Sequence, residues 1–370
     1  MIEEIKAKII SDSRKRATVQ VELRTERGSF LASCPSGAST GKNEAKAVIP
    51  ERAIKNIKKV LSKKLAGQDE LDQTKIDKIL AKNRRLGANA ILPVSIAVCR
   101  AGAAAKNLPL YKYLRNRVSV SFPRPCFNII NGGAHAKNDL DIQEFMIIPN
   151  YKSFSENLRS GLEVFNKLKI ILQKAFKGNL NMGDEGGFAP QISEPEKALD
   201  FIIRAVGDLK VDIGLDVAAS QIKNKENYNL DFYKRLIKNY PIIFIEDPFA
   251  ENDDKGFIEA TKELGVTIVG DDYLTTNIKR IKRAKKKKAC NGTIIKPNQI
   301  GTLTQTLQAV DLAKSYGWKV IVSHRSGETM DNFIADLAVG VGADFIKSGA
   351  PSRPERLAKY ERLLAIEKEI

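Results

Sequence analysis

Six charged residues, Asp216, Glu246, Asp271, Lys296, His324 and Lys347, each close a short apolar run, at spacings of 30, 25, 25, 28 and 23 residues. The runs read VDIGLD, IIFIED, TIVGDD, GTIIK, VIVSH and DFIK. Each is too short for a buried helix, is rich in β-branched residues, and precedes a stretch of helical spacing that starts after a turn signal. Six β-then-α units in succession predict parallel strands joined by helical crossovers. Continuous rather than alternating apolar runs mean that both faces of each strand are buried, as in a barrel wrapped by helices. Barrel enzymes work at the carboxyl ends of their strands, so three carboxylates, two lysines and a histidine are expected to converge on one mouth. A lone strand-end Asp is more often solvated or caps a helix; six such residues in a row argue against that reading.

The chain ahead of this ladder is organised differently. Residues 2–10, 17–24 and 29–34 read as three antiparallel strands, with Glu26-Arg27-Gly28 turning the second into the third. The segment PSGASTG (35–41) follows, then helical patterns over about 44–65, 73–81 and 88–105. Residues 1–120 are therefore expected to form an α+β capping domain, and residues 121–370 a catalytic barrel. The barrel half opens with two apolar runs and no helix between them, PCFNIINGG (125–133) and IQEFMIIP (142–149). Helical stretches at 153–176 and 194–209 flank the glycine-rich NMGDEGGFAP, 181–190, which reads as a loop. The predicted fold is thus α/β: a (β/α)8-type barrel that begins ββαα, behind a three-stranded meander with helices.

Bulk properties narrow the setting. No apolar stretch long enough for a bilayer span and no signal-peptide pattern stands out. Cys34, Cys99, Cys126 and Cys290 lack metal or redox spacing, which fits reduced thiols in the cytosol. The net charge of +17 is uneven: residues 1–120 hold 25 Lys and Arg against 11 Asp and Glu, and the remaining 250 hold 36 against 33. A basic helix pattern at 277–288, NIKRIKRAKKKK, is most simply a solvated outer face. The basic N-terminal domain leaves nucleic acid or an acidic surface open as a partner, although no specific nucleic-acid motif accompanies it.

The ladder itself suggests chemistry. Three carboxylates at one rim, without clustered cysteines or histidines, point to oxygen-liganded Mg²⁺ or Mn²⁺. Lys296 and Lys347 stand near that charge. Repulsion from a cation, together with burial, is expected to lower a lysine's pKa and free it as a general base; Lys347 could equally be a permanent cation that pins a substrate carboxylate. A metal facing a lysine base suits proton abstraction next to a carboxylate. His324-Arg325-Ser326 offers three donors for a phosphate, and Asp184-Glu185 offers a carboxylic acid on a loop.

The segments PSGASTG, NGGAH, QEFMI, GDEGGFAP, GLDVAAS, IEDPF, DD, KPNQIGT, SHRSGET and IKSGAP, in this order, closely resemble the enolase family, from about residue 10 to 366. The resemblance implies a phosphopyruvate hydratase of glycolysis, a lyase that converts 2-phospho-D-glycerate to phosphoenolpyruvate with two Mg²⁺ per site. It assigns Asp216, Glu246 and Asp271 to one Mg²⁺ and Ser39, in the loop 36–41, to the second. It makes Lys296 the base at C2 and Glu185 the donor to the C3 hydroxyl, with Glu144 supporting that hydroxyl and Gln143 beside it. Lys347 would hold the carboxylate, Arg325 and Ser326 the phosphate, and His135 would enter on a second mobile loop. Both histidines of the chain, His135 and His324, fall on matched active-site positions. The family is commonly a homo-oligomer.

Several positions depart from the family pattern. The usual DSRGNPT is Asp12-Ser13-Arg14-Lys15-Arg16-Ala17-Thr18 here, in a region that often contributes to the dimer. Asn43 replaces a usual His or Tyr, residues 46–71 form a shortened segment, Pro93 interrupts a helical pattern, and the usual C-terminal tail is missing. Two other readings compete: a superfamily enzyme acting on another carboxylate, and a binding protein that works through its basic N-terminal domain.

Overall fold

The computed structural model of the chain describes residues 1–37, 41–114 and 121–370. Strands β1 (Ile2–Ser11), β2 (Ala17–Thr25) and β3 (Gly28–Ser33) form an antiparallel meander in chain order. Alternation along β2 buries Val19, Val21 and Leu23, and that face packs on helix Ala88–Ala105.

That helix corrects two expectations. It is long and apolar enough to cross a bilayer, but 83% of it is buried inside the protein, as the core helix of this domain. Pro93 lies beyond its first turn, where it removes a ladder hydrogen bond at a cost of about 3 kcal/mol. The helix nevertheless continues to Ala105, because packing on both faces outweighs that loss.

The helix expected from residue 44 starts only at Pro50, whose fixed φ suits a first helical position. A π-helical turn, Ile57–Leu61, interrupts it before Ser62–Leu65. The replaced family turn also has a physical signature. Lys15, at the position of the usual glycine, takes a φ of +60°, a left-handed conformation that costs a residue with a Cβ about 1–2 kcal/mol. The turn closes through Asp12 Oδ1, which accepts from the Arg14 and Arg16 amides at 2.9 Å each.

The boundary expected near residue 120 adjoins residues 115–120, which lie outside the described residues. Beyond it come β4 (Arg124–Asn131), β5 (Glu144–Pro149), β6 (Asn181–Met182), β7 (Phe188–Ala189), β8 (Val211–Asp216), β9 (Ile242–Glu246), β10 (Thr267–Gly270), β11 (Gly292–Ile295), β12 (Lys319–Ser323) and β13 (Phe345–Lys347). Eight of them close a barrel in the order β4-β5-β8-β9-β10-β11-β12-β13, sealed by parallel pairing of β13 with β4. β5 runs antiparallel to both neighbours, which is the predicted ββ opening. β6 and β7 form a small hairpin whose β7 pairs in parallel with the carboxyl end of β4 at Ile130, so the GDEGG loop is carried over the mouth.

Cys126, Met146, Ile148, Phe244, Val269, Ile294, Ile321 and Phe345 fill the barrel below the mouth. On β8, a Cβ at Gly214 would lie 2.4 Å from the Phe244 ring. The barrel interior is therefore a plug, and only the strand ends above it are free for polar groups.

Candidate active site

All six rungs of the ladder lie at strand ends: Asp216, Glu246 and Lys347 are the last residues of β8, β9 and β13, and Asp271, Lys296 and His324 directly follow β10, β11 and β12. The register aligns them, with Asp216 opposite Glu246 on one side and opposite Glu144 on the other. One cavity is lined by His135, Gln143, Glu144, Glu185, Asp216, Asp271, Lys296, His324, Arg325, Ser326 and Lys347. Glu246 is wholly buried and touches Lys347. Of the residues assigned by sequence, Ser39 alone lies outside the described residues.

Lysines hold the carboxylates on one side of the mouth. Lys347 Nζ is 2.7 Å from Glu246 Oε2 and 3.1 Å from both Asp216 Oδ2 and Glu144 Oε2. Burial opposes its charge, but Asp216, Glu144 and Glu246 together hold its pKa well above the ordinary value, as for a permanent cation. Lys296 Nζ pairs with Asp271 Oδ2. The lowering expected from the sequence is tied to a bound cation, and this carboxylate works against it. Burial pulls Lys296 down, but the Asp271 carboxylate outweighs it and raises the pKa. Reciprocally, Asp271 lies below the usual carboxylate range, because Lys296 overcomes the effect of burial.

Imidazoles hold the carboxylates on the other side. Glu185 Oε2 accepts from Asn128 Nδ2 at 3.0 Å and lies 3.2 Å from His324 Nε2, close but not aligned as a full hydrogen bond. His135 Nδ1 stands 3.6 Å from both Glu185 and Glu144. Burial alone would raise Glu185, but His324 and His135 outweigh it and hold its carboxyl well below the usual range. Burial and the Glu185 charge push Glu144 well above it. The two carboxyls are thus driven apart, an arrangement in which one proton is held between two acids.

Several contributors were not legible in the sequence. Glu44, read there as the start of a helix, forms a two-pronged pair with Arg325 at 2.8 and 3.2 Å and accepts from the Gly41 amide at 3.0 Å. It ties the end of the 35–41 segment to Arg325. Gln299 donates to Asp271 Oδ1 at 2.8 Å, and its own oxygen accepts from Thr276 at 2.7 Å. Asp247, the second acid of IED, accepts the Asp271 and Asp272 amides at 2.9 and 2.7 Å, which fixes the turn after β10. Ser36 Oγ donates to Asp12 Oδ2 at 2.5 Å, and Arg14 Nε pairs with Asp184 at 3.1 Å, so the altered turn touches two loops of the mouth.

The donor set fits a hard divalent cation. Glu246 Oε1 is buried without a hydrogen-bond partner among the described residues, and burial with the neighbouring Asp216 charge pushes its carboxyl well above the usual range. A positive ion would satisfy both. Asp216 and Glu246 meet at Lys347, whereas Asp271 has ligand oxygens within 4.8 Å of those of Asp247 and Asp272. Asp247 is already committed to two amides, so it is scaffold for Asp271 rather than a ligand.

Known proteins resolve the family. The model "Enolase, N-terminal domain" matches residues 2–114, and "Enolase, C-terminal TIM barrel domain" matches 119–233 and 228–370. The chain belongs to the enolase family. It is 45% identical to "Enolase" of Eimeria tenella over 428 aligned positions, which cover 100% of this chain and 96% of that protein. It is 43% identical to "Enolase" of Solanum lycopersicum over 425 positions, covering 100% and 95%. The two family models together span nearly the whole chain, its N-terminal domain and its barrel.

Proposed function

We propose that the chain interconverts 2-phospho-D-glycerate and phosphoenolpyruvate, a carbon–oxygen lyase reaction, at this mouth. The observation that carries the reading is the cavity in which Lys296, at the end of β11, and Glu185, carried over β4, stand three strands apart around the rim. Lys296 removes the C2 proton, the electron pair forms the C2–C3 double bond, and the C3 hydroxyl leaves as water with a proton from the Glu185 and Glu144 pair. Arg325 and Ser326 grip the phosphate, and Lys347 holds the substrate carboxylate. Asp216, Glu246 and Asp271 would hold Mg²⁺, which would neutralise the enolate charge and, as a positive charge beside Lys296, lower the lysine's pKa. A lysine base working beside Mg²⁺ is the general pattern of the enolase superfamily.

The same reading includes a second Mg²⁺ held through Ser39, a homo-oligomeric assembly and a cytosolic setting. The four cysteines are unpaired and buried, which suits that compartment. Purified protein given 2-phosphoglycerate and Mg²⁺ should gain ultraviolet absorbance from the enol product, lose the gain with a chelator, and regain it with excess Mg²⁺. Folded protein that shows no gain under these conditions sinks the reading.

A further inference from the structure

Helix Pro354–Lys368 buries Arg356, Lys359, Tyr360, Leu363 and Ile366. Its apolar stripe thus continues, at the amino end, as two cations. Lys359 has an evident partner, since its Nζ lies 2.9 Å from Glu328 Oε2. Arg356 does not. It is 0% exposed, and its carboxylate contact among the described residues is Glu355, 3.5 Å from Nε.

Its other partners are neutral acceptors at the active site. Nη1 reaches His324 Nδ1 at 2.6 Å and the Arg325 carbonyl at 2.8 Å. Nη2 donates to the Ser326 carbonyl at 2.6 Å, to Ser13 Oγ at 3.3 Å and to the Asp184 carbonyl at 3.4 Å. Burying a full charge among neutral groups is expensive, and an apolar side chain on the same stripe would serve packing better.

The chemistry of the first contact has one consistent solution. A guanidinium only donates, so His324 Nδ1 must be the accepting nitrogen. A neutral His324 then carries its proton on Nε2, the atom 3.2 Å from Glu185 Oε2.

We propose that Arg356 is a positioning residue of this site: it fixes His324 as the Nε2–H tautomer facing Glu185 and, through the Arg325 and Ser326 carbonyls, locks the imidazole and the phosphate grip into one rigid unit. The proposal rests on the roles given above to Glu185, Arg325 and Ser326. The charge balance agrees with it. Burial, opposed by Glu185 and reinforced by Arg356, pulls His324 down to about 4, so the ring is neutral at ordinary pH.

Nitrogen NMR of the imidazoles tests the proposal directly, because the chain has only two histidines and the His135→Gln spectrum assigns them. His324 in the parent protein should show a protonated Nε2 and a bare, hydrogen-bonded Nδ1 at pH 7. A proton on Nδ1, or a doubly protonated ring, overturns the proposal. Arg356→Met should release the ring into mixed tautomers and lower kcat about 10- to 100-fold, while Arg356→Lys, which keeps one donor, should restore the Nε2–H form and part of the activity.

Unchanged His324 signals in folded Arg356→Met also overturn it, whatever happens to turnover. Should that variant fail to fold, the parent and Arg356→Lys spectra decide. A parent with the expected tautomer but no turnover of 2-phosphoglycerate would sink the functional reading while leaving the positioning role intact.

Discussion

The two sides of the mouth solve the same problem by different means. On the strand-built side, Asp216, Glu246 and Asp271 are opposed by Lys296 and Lys347, and every group rises from a β-strand of the closed barrel. On the loop-built side, Glu185 is opposed by imidazoles, with Glu144 of β5 shared between His135 and Lys347, and the supports come from a hairpin loop, the N-terminal domain and helix Pro354–Lys368. On the first side Lys296 holds Asp271 below the usual carboxylate range, while burial raises Glu246 despite its contact with Lys347. Buried imidazoles leave one carboxyl low and its neighbour high, and so ready to pass a proton. On our reading, the strand ends supply the metal ligands and the base, and the loop supplies the proton donor.

Four substitutions would break or sharpen that contrast, and a fifth bears on its frame. The largest effect is expected for Lys296→Ala, which should reduce turnover by about 10⁴-fold in the ultraviolet assay, with the fold intact by circular dichroism because the barrel plug lies below it. Residual turnover near the parent level would show that the strand-built side does not supply the base.

Asp331→Asn attacks the docking on which the loop-built side depends. Asp331 binds Arg100 of the N-terminal domain through two hydrogen bonds, at 2.7 and 2.9 Å, and accepts from the Ser33 amide. Loss of its charge leaves a partly buried guanidinium without its ionic partner and should cost about 1–3 kcal/mol in denaturant unfolding at pH 7. Burial alone would raise the Asp331 pKa, but Arg100 outweighs it and lowers it. Its contribution is therefore present in full above the unfolded value near 3.9 and disappears as pH falls through the lower folded value, so parent and variant should converge in acid.

Glu185→Gln should lower kcat about 10²-fold while leaving Mg²⁺ affinity nearly unchanged, because this carboxyl sits with imidazoles and not with the metal triad. A large loss of Mg²⁺ affinity would merge the two sides. Glu44→Ala frees Arg325 from its fork and should raise KM about tenfold with a smaller effect on kcat. Smallest is Lys15→Gly, which relieves the left-handed turn and should add about 0.5–1 kcal/mol of stability without altering turnover.

The contrast also explains what the sequence made legible. Strand-end residues stand out because a charge closing an apolar run is a local event, visible within six residues, as in VDIGLD. The register then brought those ends together without further information. Glu44 could not be read this way, because its partner is Arg325, 281 residues away. Arg356 sits in PERLAKYERLLAIEK, where charges are frequent; only its place on the Tyr360, Leu363 and Ile366 stripe marked it as buried. Nor could the direct pairing of Lys296 with Asp271 be read, because spacing identifies which charges gather but not which pairs touch.

The bond between Arg356 and Ser13 spans 343 residues. During synthesis the turn that holds Ser13 emerges early and waits for nearly the entire barrel before its partner exists. The proton-transfer side of the mouth is therefore among the last parts of the molecule to be finished, and an incomplete chain already displays metal ligands and open strand edges with no means of turnover. Such long-range closure is slow and exposes sticky intermediates. Appearance of catalysis in a refolding sample should accordingly lag behind recovery of barrel secondary structure, which makes enzymatic activity a late and sensitive reporter of chain completion.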